Sequence, residues 1–192
     1  MDDSYSFALA LDAAGVRIAA VAPVRVAALR YFDPGGRFGR ALNQALGEPL
    51  PQVQHAALAA PGRDSEMLLA WRSPTETLLL CASAAVFAEL EQQVAGAGDG
   101  YMVDQTAGIS VFRVQGERAA EFLQRVSAAT AIPARGEARG GRMADLHVLT
   151  ACVQAEEFLV FVERVYAAHL AQWFRATAAD FSDQWPAWRS DA

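Results

Sequence analysis

The stretch from Asp104 to Val126, DQTAGISVFRVQGERAAEFLQRV, constrains the fold more than any other part of the chain. It reads as a strand, a glycine turn and an amphipathic helix, in that order. Ile109, Val111 and the Phe112–Val114 pair supply the β-branched and aromatic side chains that suit a pleated surface. Gly116 interrupts the run and permits a backbone angle that other residues resist. Ala119, Phe122, Leu123 and Val126 then recur at i, i+3, i+4 and i+7, which lays one apolar stripe along a helix. A weaker copy runs from Val24 to Leu46. Its strand also ends in arginine and aromatics, glycines follow, and Phe38, Ala41, Leu42 and Ala45 make the stripe. The same unit therefore occurs twice, and duplication predicts an architecture.

The rest of the chain fits around these two units. Residues 1–15 are either a loose arm or a first strand, and Pro23 splits 16–32 into a strand on each side. DPGG (33–36) is a turn, and a helix follows from Arg37 to Leu46. Residues 47–65 carry three prolines and read as an extended linker. EMLLAW and ETLLLCA form a hairpin about RSPT. Ser83 then caps a helix whose stripe is Phe87, Leu90 and Val94. The second half repeats the order, with a strand at 109–115, a helix at 117–128 and the loop AIPARGEARGG (131–141) in place of the proline linker. Strands in ADLHVLTACVQA and EEFLVFVE follow. A last helix from about Arg164 to Ala179 has Tyr166, Leu170, Trp173 and Phe174 on one side.

Each half is thus strand–helix–strand–strand–helix, and neither hairpin can hide its apolar face alone. The expected fold class is α+β, with antiparallel sheets and flanking helices. One domain, 1–192, is built of two pseudo-repeat halves, about 16–98 and 101–181, sharing one apolar interior; 182–192 is a tail bearing Trp185 and Trp188. That tail needs a surface to cover it, on its own domain or on a partner. A hydrophobic content of 53% over 192 residues is enough for such an interior.

Charge and composition exclude several chemistries. A net charge of −6 repels phosphate backbones and argues against nucleic acid. Every basic residue among the sixteen is arginine, so no lysine Schiff base or Walker lysine exists. Cys81 and Cys152 sit in apolar strands and read as buried reduced thiols, with no metal-site spacing. No apolar run reaches membrane-spanning length and the N-terminus lacks the pattern of a signal peptide, which leads us to expect a cytoplasmic protein with no membrane partner. His55, His147 and His169 have no ligand partner at i+2 or i+4. His147 follows Asp145 by two, so a strand would put both on one side, where structural pairing outweighs a catalytic dyad. Ser110 and Ser127 lie in no G-x-S-x-G sequence.

The loop 135–142 clusters Arg135, Arg139 and Arg142 with three glycines. Guanidinium forks and free amides there could hold a carboxylate or phosphate, such as a folate tail. The alternative is a solvated loop whose arginines find local acids. DPGG with Arg37 and Arg40 is its weaker first-half counterpart.

Three segments together resemble the gamma subunit of heterotetrameric sarcosine oxidase, and through it the folate-binding module of the glycine-cleavage T-protein. They are LRYFDPGGRFGRALNQALGEPLP, LLAWRSPTETLLL, and the block from VDQTAGISVFRV to AAHLAQWF. The joint order covers roughly residues 24–180. The resemblance implies the same compact, folate-binding aminomethyltransferase-like fold. It also implies an accessory subunit that supports flavoprotein alpha and beta subunits, with no catalytic residue and no cofactor bound by this chain alone. In the T-protein relatives an acidic pair follows a double glycine. Here Gly140-Gly141-Arg142-Met143-Ala144-Asp145 retains only Asp145. The competing expectation is a tetrahydrofolate-binding, aminomethyltransferase-like protein of one-carbon metabolism using Arg135, Arg139, Arg142 and Asp145. A stand-alone homodimer with a drifted role is the third.

Overall fold

The computed structural model describes residues 9–22, 24–59 and 67–181. The tryptophan tail read at 182–192 lies outside them, as do residues 1–8 of the acidic arm. The chain enters through a hairpin, β1 (Ala10–Ala13) and β2 (Val16–Ala20), so part of the N-terminal segment is a first strand. Ala14 and Gly15 both take positive φ in its turn, the geometry that matches the twist of a tight hairpin. After Pro23 come β3 (Arg25–Tyr31) and α1 (Arg37–Leu46), with DPGG as the turn between them.

The proline-rich segment is where sequence and structure part. It contains β4 (Ala56–Ala59), a strand with no alternation in its sequence, AALA. Its partner β5 (Met67–Ser73) supplies the pairing, and β5 turns into β6 (Glu76–Cys81) as a hairpin. Helix α2 (Ala84–Val94) follows, with the Ser83 hydroxyl accepting from the Val86 amide at 3.3 Å. Next comes a strand the sequence reading passed over, β7 (Gly100–Asp104), and then β8 (Ile109–Gln115) and α3 (Ala119–Val126). The loop read at 131–141 is also partly strand: β9 (Ala138–Met143) contains Arg139 and Arg142. β10 (Leu146–Gln154), β11 (Glu157–Glu163) and α4 (Ala167–Asp180) complete the chain. Short 3-10 turns stand at Ala129–Ala131 and Arg164–Tyr166.

Among the described residues the strands form two antiparallel sheets. One has the order β4-β5-β6-β3-β7, the other β1-β2-β8-β11-β10-β9. The duplication runs deeper than the sequence pattern suggests, because β4 and β9 occupy equivalent edges of the two sheets. The strand before each unit is exchanged between them. β2 precedes the first unit but pairs with β8 of the second, and β7 precedes the second but pairs with β3 of the first. The sheets therefore do not divide the chain at residues 98–101.

The interior is three apolar layers rather than one. Val26, Ala28, Leu78, Val111, Leu149 and Phe161 are among the side chains packed between the two sheets. Phe38, Leu42, Phe87 and Leu90 of α1 and α2 cover the outer face of one sheet. Phe122, Leu123, Leu170 and Phe174 of α3 and α4 cover the other. Strands buried on both faces read as continuous hydrophobic runs, which is why TLLLC and FLVFV lack alternation. The α4 side is narrower than its sequence suggests. Leu170 and Phe174 are buried, while Tyr166 and Trp173 are 47% and 46% exposed.

One contact explains how α1 is held. Gly36 precedes the helix and offers no capping side chain. Asp99, from the loop before β7, accepts from the Arg37 amide at 2.7 Å and from the Phe38 amide at 2.7 Å. These bonds favour the charged carboxylate and hold its pKa below the usual value, with the Arg37 guanidinium adding to the effect. A lowered folded pKa stabilises the protein above the ordinary aspartate value, about 3.9. That contribution disappears as pH falls through the lower folded value. Asp99→Asn is expected to melt below wild type at pH 7, with the gap closing as pH drops below about 4. A gap constant down to pH 2 in melting curves would exclude this account.

Candidate functional site

A cleft of about 530 Å3 opens between the two sheets. Its size falls within the usual range for small-molecule sites. The inner face of the second sheet forms one wall. Strand pairing sets Arg142 on β9 opposite His147 on β10, and Glu163 on β11 opposite Ile109 on β8. The Val148–Val162 pair places His147 and Glu163 side by side as well. Arg142, His147, Glu163 and Ile109 thus form one row at the mouth, and all four line the cleft. The next row on the same face pairs Gly140 with Leu149, Leu149 with Phe161, and Phe161 with Val111. Arg72 and Leu78 of the first sheet form the opposite wall.

Gly140 shapes the floor. A Cβ there would meet nothing within 4 Å, so the missing side chain leaves room rather than avoiding a clash. Its neighbour Gly141 differs: a Cβ would come within 2.5 Å of the Ala131 Cβ. The double glycine noted in the sequence thus serves two purposes, one on each face of β9.

The arginine–glycine segment does not act as one loop. Its first part is a clasp between the sheets. The Ala56 amide donates to Gly136 at 2.8 Å, the Ala138 amide donates to Gln54 at 2.9 Å, and His55 bridges Glu137. The Glu137 carboxylate accepts from the Ala134 amide at 2.9 Å and pairs with Arg139 at 2.8 Å. Those bonds, led by the Ala134 amide, hold its pKa below the ordinary glutamate value. Arg135 is exposed on the turn of this clasp. Only Arg142 of the three reaches the cleft.

Asp145 stands on a turn, not on a strand. Ala144 and Asp145 have φ of 48° and 64°, so the i, i+2 relation to His147 does not put the two on one strand face. The Asp145 carboxylate is 94% exposed and lies 3.5 Å from the Arg142 guanidinium, which also donates to the Asp145 carbonyl at 2.9 Å. A pair so open to water attracts weakly.

The cleft residues Arg72, Leu78, Phe161 and Glu163 escaped sequence reading. Nothing in RSPT or FVER marks them, because strand register alone brings them together. Cys81 and Cys152 are buried, and burial pushes both thiols up, away from the reactive thiolate. Among the described residues no group of His, Cys, Asp and Glu side chains could hold a metal ion. No helix among them is long and apolar enough to cross a membrane.

No protein-family model matches the sequence. No curated protein matches it either. Solved structures match in fold. A chain of the heterotetrameric sarcosine oxidase from Corynebacterium sp. U-96, solved with pyrrole 2-carboxylate, superposes with a TM-score of 0.76 at 22% identity, covering 91% of this chain and 89% of that one. The glycine cleavage system aminomethyltransferase T from Bartonella henselae gives a TM-score of 0.62 at 15% identity, covering 84% of this chain and 46% of that one. This chain therefore spans under half the length of the aminomethyltransferase. The fold is the one implied by the sequence resemblance: α+β, with antiparallel sheets and flanking helices.

Proposed function

We propose that this chain is a structural, non-catalytic subunit of a sarcosine-oxidase-like, flavin-dependent amine-oxidising complex. The near end-to-end likeness to one chain of a heterotetrameric enzyme carries this reading. Surface chemistry supports it. Val165, Tyr166 and Trp173 are 78%, 47% and 46% exposed, the first two on the 3-10 turn that leads into α4 and Trp173 on α4 itself. Exposed aromatics grouped in this way suit the anchoring core of a protein–protein contact.

Tagged full-length chain, drawn from its source, is expected to bring down a flavoprotein with flavin absorbance. The isolated chain should show neither that absorbance nor amine oxidation. Trp173→Gln should cut flavoprotein recovery about tenfold or more, as loss of an interface anchor does. Its melting temperature should move little, as for a surface change. Recovery of the free chain alone, running as a monomer or homodimer on gel filtration, would count against the proposal.

The tetrahydrofolate reading needs Arg135, Arg139, Arg142 and Asp145 to converge. They are distributed over the clasp, the edge strand and an exposed turn. Calorimetry with tetrahydrofolate reads this directly: heat that falls on both Arg142→Ala and Asp145→Ala would favour it.

A further inference from the structure

The geometry points to the inter-sheet cleft as a binding site for an apolar α-amino acid. The inference is independent of the subunit reading, because it uses none of the α4 surface. Its first support is the order of polar groups along the mouth. Arg142 and His147 stand together at one end of the row, and Glu163 lies one strand beyond His147. Strands are about 4.8 Å apart, so the guanidinium and the carboxylate stem from backbones roughly 10 Å apart. Both side chains are long enough to reach inward from there and meet the two ends of one small zwitterion.

The second support is what these groups already bind. Arg72, on the facing wall, is held by Glu76 at 2.8 Å. Arg142 is tied to Asp145 through one nitrogen, by a 2.9 Å hydrogen bond to the carbonyl and a weak, water-exposed pairing with the carboxylate, and its own side chain is 62% exposed. Glu163 enters no ion pair among the described residues. The mouth therefore offers one guanidinium fork that fits a carboxylate bidentately, and one carboxylate suited to an ammonium. A ligand with only an anionic group would answer Arg142 but crowd Glu163, and one with only a cationic group would do the reverse.

The third support is the floor. Behind the charged row lie Leu149, Phe161 and Leu78, with open space above Gly140. An amino acid held by its charged ends at the mouth would project its side chain onto this surface. The volume suits a branched or aromatic side chain and leaves glycine nothing to bury.

Calorimetry on the full-length chain tests the site. L-Phenylalanine and L-leucine should bind saturably at millimolar concentration or below, which is a favourable free energy of about 4 kcal/mol or more. 3-Phenylpropionate, phenethylamine and glycine should each bind about tenfold more weakly, having lost one charged partner or the apolar body. Gly140→Val fills the floor and should abolish binding without lowering the melting temperature. Glu163→Gln should weaken phenylalanine about tenfold while leaving phenylpropionate unchanged or tighter. This second variant decides the matter even if Gly140→Val fails to fold. The proposal is overturned by any of three results: no saturable heat with either amino acid, phenylpropionate matching phenylalanine, or binding that survives a folded Gly140→Val.

Discussion

Phe174→Ala is expected to destabilise the protein by about 3–5 kcal/mol, the range for removing a fully buried aromatic ring. Phe174 is fully buried on α4. It meets Phe112 of β8 edge-on, with centroids 5.6 Å apart and planes at 90°, and Phe122 of α3 at 5.9 Å. These three rings join the helix layer to one of the two central strands of the larger sheet. Phe122 in turn meets Phe181 at 5.4 Å, beneath the guanidinium groups of Arg118 and Arg125. Truncation leaves a ring-sized gap that rigid neighbours on β8 and α3 cannot close. Whole domains are typically stable by only about 5–15 kcal/mol, so the loss is a large fraction of the total. Thermal melting should fall by roughly 6–20 °C for a chain of this size. Trp173→Ala, one residue away but half exposed, should cost far less. Equal melting shifts for the two variants would mean that the ring cluster is not the centre of this layer.

That contrast marks what sequence could and could not reveal. The stripe Ala119, Phe122, Leu123 and Val126 was legible, and all four are buried. Helical periodicity is a local signal, and α3 obeys it. On α4 the same rule gathered Tyr166 and Trp173 with Leu170 and Phe174, although only the last two are buried. Local pattern gives the direction of a stripe but not its width, which the sheet beneath decides. β4 and β9 were missed because AALA and ARGGRM lack alternation; they are strands because β5 and β10 hold them. The positive φ at Ala144 and Asp145 was hidden too, since no Asn-Gly or Asp-Gly pair announces that turn. The cap on α1 comes from Asp99, 62 residues from the amide of Arg37, a distance no capping motif can span. The cleft is similar. Arg142 and His147 were visible as residues, but their place in a row with Glu163 exists only once three strands have paired.

Cutting the chain in the α2–β7 loop, between Ala95 and Gly96, should leave two fragments that each fail to fold and that fold together when mixed. The exchanged strands are the reason. The N-terminal piece would keep β2 but lose β8, to which β2 pairs from Arg17 to Ala20. The C-terminal piece would keep β7 but lose β3, to which β7 pairs from Gly100 to Asp104. Each piece would also expose the apolar face that its sheet turns toward the other, Val26, Ala28, Leu68 and Leu78 on one side and Val111, Leu149, Leu159 and Phe161 on the other. Burying an aliphatic or aromatic side chain is worth about 1.5–3 kcal/mol. Losing the shared layer therefore removes an amount comparable to the whole stability expected of a domain, about 5–15 kcal/mol. Joined again, the pieces recover both exchanged pairings and the layer at once, since the cut lies in a loop and severs no strand. Circular dichroism and thermal melting of each piece, then of an equimolar mixture, read the outcome. A cooperative melt from either piece alone would show that one sheet and its helices suffice as a folding unit. The reciprocal exchange of β2 and β7 would then be a detail of packing instead of the device that makes two repeats one domain.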